Sequence, residues 1–234
     1  ILIPISKNEN KLDILINYIE KINPRNLIVI NLFKLGSKKP VDIKREKIFK
    51  NYLTVDLQLI LAKVIKNILT LLTNTDVRLA SIDLDNTCWT GVIGEDGVKK
   101  IFLDTYQKKS LDFINKLIGK TGLIVSIHSK NNEKLGIKGI NNKLGKYANV
   151  RNKSFKYINW DAKINSIKKI NKIVNFSKNN IIYLDDNISE IKQVNKFLIK
   201  KNCLWIKNSY IFYLYSKSIF FSNFAKAKNI KRFN

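Results

Sequence analysis

Through the middle of the chain, short apolar runs alternate with stretches in which apolar residues recur every three to four positions. The runs are Leu79 to Asp83, Gly122 to Ile127, Asn180 to Leu184 and Cys203 to Ile206, and Tyr106 to Ile118 is typical of the helical pattern between them. This alternation predicts an α/β fold with a parallel sheet flanked by helices. Upstream, Asn26 to Phe33 predicts a strand, Gly36 to Lys50 a polar linker, and Val55 to Leu72 an amphipathic helix leading into the core. Gly91, Gly94 and Gly97, with Glu95 and Asp96 among them, predict a small β-hairpin flap and leave no room for a large cap domain. Residues 131–159, rich in Lys, Asn and Gly, support no assignment, and the aromatic, basic stretch from Asn208 predicts a helix against the core. The resulting division is an N-terminal segment (1–75), a catalytic-type core (76–206) and a C-terminal helical tail (207–234), without internal repeats.

Composition narrows the class. With 234 residues and 45% hydrophobic content the chain can bury a sizeable core, which excludes disorder despite a formal charge of +25. Two Cys cannot staple a secreted domain, and no apolar run is long enough to span a bilayer, so a cytoplasmic protein with no membrane partner is expected. The chain opens on Ile1 and holds no Met, the mark of a polypeptide lacking its natural start or cut from a longer one. Only five of its 43 basic residues are Arg, whereas a phosphate-backbone surface would favour the planar guanidinium. Lys, Ile and Asn share A/T-rich codons, so the charge reads mainly as nucleotide bias on a solvated surface rather than as a nucleic-acid site. It still predicts attraction to acidic partners.

The chemistry-bearing segment is Ser81-Ile-Asp-Leu-Asp-Asn-Thr87. Residues two apart on a strand face the same side, so Asp83 and Asp85 converge at a strand's carboxyl end, where open α/β sheets bind ligands. Like charges so close call for a proton or a cation, and Mg²⁺ is the natural hard, oxygen-liganded ion. Asp185 and Asp186 follow another apolar run, with Glu190 four residues beyond Asp186. An Asp-Asp pair alone there reads first as a helix cap, but a second acidic strand end in the same sheet shifts the balance to a metal site. Ser129 and Lys163 supply a hydroxyl and an ammonium suited to a phosphoryl group, with Thr87 and Lys130 as further phosphate-binding candidates.

The order of these motifs resembles the haloacid dehalogenase (HAD) superfamily of phosphoryl-transfer enzymes. The resemblance implies a Rossmann-like fold, Asp83 as nucleophile, Asp85 as general acid/base, Ser129 and Lys163 on the phosphoryl group, and Mg²⁺ held by Asp83, the Asp85 carbonyl and Asp186, with Asp185 and Glu190 as supporting acids. The stretch from Asp83 to Gly97, with His128-Ser-Lys-Asn-Asn132, Asn159-Trp-Asp-Ala-Lys163 and Leu184-Asp-Asp-Asn187, is similar to the FkbH-like branch. That branch implies removal of phosphate from a phosphorylated three-carbon donor of the 1,3-bisphosphoglycerate type. The glyceryl unit is then loaded onto a phosphopantetheine-bearing acyl carrier protein in polyketide biosynthesis.

One departure bears on the acyl step. Many members of the branch carry Cys just before the Ser of the second motif, where this chain has His128, its only His. Cys88 lies close to Asp83 in sequence and reads either as an acyl-holding thiol or as a small buried hydrophobe; His128 reads as a polar neighbour of the pocket or an auxiliary base. A plain phosphatase acting on a small metabolite or a nucleic-acid end, and a non-catalytic basic binding module, are the alternative functions.

Overall fold

The computed structural model describes residues 1–4, 8–22, 27–37, 40–42, 53–74 and 76–230. They divide into two compact units, Ile1–Leu69 and Thr70–Asn234. In the first unit, helix α1 (Glu9–Ile22) buries Leu12 and Ile16 with Val29. Of the segment expected to be a strand, Asn26 to Phe33, the described residues make an isolated bridge, Leu2 with Val29, before a 3₁₀ turn at Leu32–Leu35. The Asn31 carboxamide accepts from Phe33 N at that turn, and this local bond diverts the backbone from a ladder. Most of the predicted linker, residues 38, 39 and 43–50, lies outside the described residues. Helix α2 (Val55–Thr73) carries the predicted amphipathic pattern, with Leu57, Val64, Ile68 and Leu71 buried.

The second unit is built on a five-stranded parallel sheet: β1 (Leu79–Asp83), β2 (Ile124–Ser129), β3 (Phe155–Ile158), β4 (Ile181–Asp185) and β5 (Cys203–Trp205), in spatial order β3-β2-β1-β4-β5. The order reverses at β1, so the crevice outside its carboxyl end is the switch point where such sheets bind ligands. The helices are α3 (Ile93–Lys100), α4 (Thr105–Thr121), α5 (Glu133–Lys143), α6 (Ala148–Lys153), α7 (Lys163–Val174), α8 (Ile188–Val194) and α9 (Ser209–Ile230). Every residue of β1 and β4 is buried, as expected for central strands covered on both faces. On one face Leu79, Ile181 and Tyr183 pack with Ile167 and Ile170 of α7 and with Ile191 and Val194 of α8. Strand β3, unassigned from the sequence, is an edge strand whose side chains are mostly exposed or half-buried, so it never forms an apolar run.

The β1–α4 connection departs from the expected hairpin. It contains the short helix α3, broken by the left-handed Gly97, and one antiparallel bridge between Thr90 and Phe102. Glu95 and Asp96 in the first turn and Lys99 and Lys100 in the last complement a helix dipole, so the charges that bracketed the glycines favour a helical turn. Gly91 has φ of 102°, and an added Cβ would meet the Asp96 carboxylate at 2.9 Å, so the turn entering α3 needs glycine. Asp104 and Gln107 form a capping box that starts α4. The connection holds no large cap domain. The expected C-terminal tail contains α9, whose Tyr210 and Tyr213 lie against Tyr106 of α4.

Candidate active site

Strand register sets out the site. Asp83 pairs with His128, His128 with Tyr157, and Asp185 with Trp205; Ile82 pairs with Leu184, which brings Asp185 level with Asp83. In a parallel sheet, paired residues project from the same face, so one row at the carboxyl edge carries Tyr157, His128, Asp83, Asp185 and Trp205. Two residues back along the same face lie Ser81, Ser126 and Tyr183. The Ser81 and Ser126 hydroxyls are 2.8 Å apart, and Ser126 Oγ is 2.8 Å from His128 Nε2, so a buried polar layer lies beneath the row.

Lys163, the first residue of α7, reaches into this row. Its ammonium donates to Asp83 Oδ1 at 2.6 Å and to Asp185 Oδ2 at 2.7 Å, and all three groups are buried. Burial pushes the Asp83 carboxyl well above its usual range; Lys163 opposes this, and the charges of Asp185 and Asp186 add to it. Burial disfavours the Lys163 ammonium, but Asp83 and Asp185 more than offset that and hold it protonated. Asp185 accepts three hydrogen bonds from the chain itself. Tyr183 and Lys163 donate to its Oδ2, and Asn187 N donates to Oδ1 at 2.7 Å. Asp186 is half-buried, its carboxyl raised by burial and by Asp185, and Trp205 Nε1 donates to its backbone carbonyl at 2.7 Å.

Asp83, Asp185 and Asp186 each offer an oxygen, with these atoms all within 4.8 Å of one another. Three hard oxygen donors whose mutual charge raises the Asp83 carboxyl suit a small divalent cation, which would remove that repulsion. The Asp85 carboxylate is not in this group. Its Oδ1 accepts from Trp89 Nε1 at 2.8 Å and from Ile93 N at 3.1 Å, and its Oδ2 from Asn131 Nδ2 at 2.7 Å. It is thus held over the site by the connection after β1 and the loop after β2.

Ser129 is buried, and its hydroxyl accepts from the Asn131 Nδ2 that also serves Asp85. Thr87 is fully buried, and its Oγ1 has no hydrogen-bond partner. Lys130 pairs with Glu190, Nζ to Oε1 at 2.6 Å, which ties the loop after β2 to α8; the other Glu190 oxygen is buried without a partner. Cys88 is buried, and burial followed by the Asp83 and Asp85 charges pushes its thiol up, so it is a protonated thiol at neutral pH. His128 is buried against Tyr157, the rings stacked at 5.3 Å, and burial together with the Lys163 charge lowers its pKa to about 3. It is therefore a neutral imidazole, with Nδ1 unpartnered.

Three participants went unassigned in the sequence. Asn131 joins Asp85 to Ser129; its only signal was its place two residues beyond Ser129. Tyr183 was signalled by alternation, two residues before Asp185 on the same face. Trp205 left no local trace, because its bond to Asp186 depends on the pairing of β4 with β5.

No protein-family model matches the sequence, and no curated protein matches it. Solved structures do. The N-terminal part of protein BF1531 from Bacteroides fragilis, which contains a phosphatase domain and was crystallised with Mg, superposes with a TM-score of 0.52 at 24% identity, over 90% of this chain and 58% of that one. This chain thus spans less than two thirds of that protein's crystallised part. A 3-deoxy-D-manno-octulosonate 8-phosphate phosphatase from Moraxella catarrhalis, in complex with a magnesium ion, a phosphate ion and a KDO molecule, has a TM-score of 0.47 at 12% identity, over 70% of this chain and 98% of that one. A Legionella pneumophila protein assigned to subfamily III A of the HAD superfamily hydrolases has a TM-score of 0.47 at 13% identity, covering 74% and 98% of the two chains. The fold of this chain is the Rossmann-like HAD fold.

Proposed function

We propose that this chain is a Mg²⁺-dependent phosphoryl-transfer enzyme of the HAD type with Asp83 as its nucleophile. The observation that carries the reading is the Lys163 ammonium bound to both Asp83 and Asp185, whose oxygens lie within 4.8 Å of one from Asp186, at the switch point of the sheet. Asp83 and Asp186 are the side chains best placed to hold Mg²⁺, because the Asp185 oxygens already accept from Lys163, Tyr183 and Asn187. The ion supplies the positive charge that lets a carboxylate approach an anionic phosphoryl group.

In the chain's own chemistry, an Asp83 oxygen attacks phosphorus, the bond from phosphorus to the leaving oxygen breaks, and an aspartyl-phosphate forms. Asp85, oriented by Trp89, Ile93 N and Asn131, gives a proton to the leaving oxygen. Water then attacks phosphorus, Asp85 takes its proton, and Asp83 is regenerated as phosphate departs. Lys163 and Ser129 stabilise the equatorial oxygens. Phosphate release in the presence of Mg²⁺ is expected, and Asp83→Asn is expected to abolish it; undiminished turnover in that variant sinks the reading.

Two finer readings share this site. In the first, the substrate is a phosphorylated three-carbon acyl donor and the acyl unit is loaded onto an acyl carrier protein. The Trp89-to-Gly97 segment and the absence of a large cap from the connection between β1 and α4 support it, since an open mouth there suits an acyl arm. The second is plain hydrolysis, and a specific observation favours it: Cys88 is a buried, protonated thiol and the position before Ser129 carries a neutral imidazole. Mass spectrometry of a phosphopantetheinylated carrier incubated with the enzyme and 1,3-bisphosphoglycerate separates the two. A glyceryl mass on the carrier supports loading; free phosphate with an unmodified carrier supports hydrolysis.

A further inference from the structure

The residues that would grip phosphate leave little room for anything else. Asp83, Ser129 and Lys163 are 3%, 2% and 7% exposed, so a bound molecule's organic part must emerge at the carboxyl edge of the sheet. The loop from β3 to α7 is at that edge, and it carries Trp160, at 73% the most exposed large hydrophobic residue among those described. Trp is highly buried on average, so an indole this exposed departs from the usual placement of the residue.

Trp160 does not sit on a slack loop. Asn159 N donates to Ser129 O at 3.1 Å, which ties the residue before Trp160 to the phosphate-binding hydroxyl's own backbone. Asp161 N donates to the Asn159 carboxamide at 3.0 Å, closing a turn around Trp160, and Lys163 opens α7 two residues later. The backbone on either side of Trp160 is therefore fixed, one residue after the bond to Ser129 and three before Lys163. Two further exposed apolar groups follow sheet strands at this edge: Phe102, bridged to Thr90 after β1, and Ile188, which opens α8 two residues after Asp186.

We propose that Trp160 is a specificity-determining residue on which a flat organic group of the bound molecule packs as it leaves the phosphate pocket. The inference rests on the phosphate-site reading above. The same chemistry has two sources, the leaving group of the substrate or the amide-rich thiol arm of an acceptor. A flat face is what an exposed indole recognises, and stacking on it does not require a hydrogen-bond code.

The test follows the indole N–H resonances of the protein, labelled with nitrogen-15 and loaded with Mg²⁺; of its three Trp, Trp160 is assigned with Trp160→Phe. Methylphosphonate, phenylphosphonate and pantetheine are titrated separately, the last with saturating inorganic phosphate. If the flat group belongs to the substrate, phenylphosphonate moves the Trp160 resonance and binds about tenfold tighter than methylphosphonate; Trp160→Ala removes that advantage and leaves methylphosphonate binding unchanged. If it belongs to an acceptor, pantetheine moves the resonance instead and Trp160→Ala abolishes its binding. A Trp160 resonance that neither ligand moves, or binding indifferent to Trp160→Ala, overturns the proposal. Failure of methylphosphonate and inorganic phosphate to bind at all overturns the phosphate-site reading, and this inference with it.

Discussion

At the scale of single residues, the site is an arrangement of buried charge that balances only as a set. Lys163→Met leaves Asp83 and Asp185 buried without a cation, and the expected cost is about 3–5 kcal/mol of stability, measured by urea denaturation without Mg²⁺. Adding Mg²⁺ is expected to restore part of it, because the ion takes over the role of countercharge. His128 gives a prediction of opposite character. Burial and Lys163 lower its pKa from 6.5 to about 3, so between those values the unfolded chain binds a proton that the folded chain refuses. Its contribution to stability is thus intact above pH 6.5 and falls as pH drops, by about 1.4 kcal/mol per unit at the steepest. Against His128→Gln, the wild type is expected to lose stability faster on acidification through that window; parallel curves would show that the imidazole titrates normally.

Among elements, the packing of α3 against α5 decides how Asp85 is held. A Cβ on Gly139 of α5 would collide with the Ile93 Cδ1 and come within 3.2 Å of Trp89. Trp89 Nε1 and Ile93 N are two of the donors that orient Asp85. Gly139→Ala is therefore expected to displace the connection after β1, costing about 1–3 kcal/mol in stability. If Asp85 is the acid/base group proposed above, the variant should also lower kcat about tenfold with little change in KM, since a small misplacement of such a group is felt in the chemical step. Steady-state kinetics beside thermal unfolding checks this, and a stability loss with unaltered kcat would separate the helix packing from Asp85. The same elements show the limits of local pattern. The glycines of 91–97 suggested a hairpin, yet the side chains of Trp89 and Ile93, packed on Gly139, are served better by a helical turn.

For the whole molecule, the formal charge of +25 is carried mostly by solvated Lys. Such self-repulsion opposes compactness and is screened by salt, so the thermal midpoint is expected to rise between ~20 and ~200 mM NaCl, read by differential scanning fluorimetry. A flat response would mean that the surface charge is internally paired. The acidic site is an island of opposite sign within this field, and only tertiary structure makes it so. The alternation of strands and helices, the acids ending β1 and β4, and the parallel sheet were legible in the sequence, because side-chain periodicity is a property of neighbouring residues. Edge strand β3, the helix in place of a hairpin, and Asn131 and Trp205 as hydrogen-bond partners were not. Their contacts depend on which strands lie side by side. The motif Asn159-Trp-Asp-Ala-Lys163 singled out Lys163 in the sequence, but its partners were not legible there: its ammonium meets an aspartate 80 residues away, a meeting set by the order of strands in the sheet.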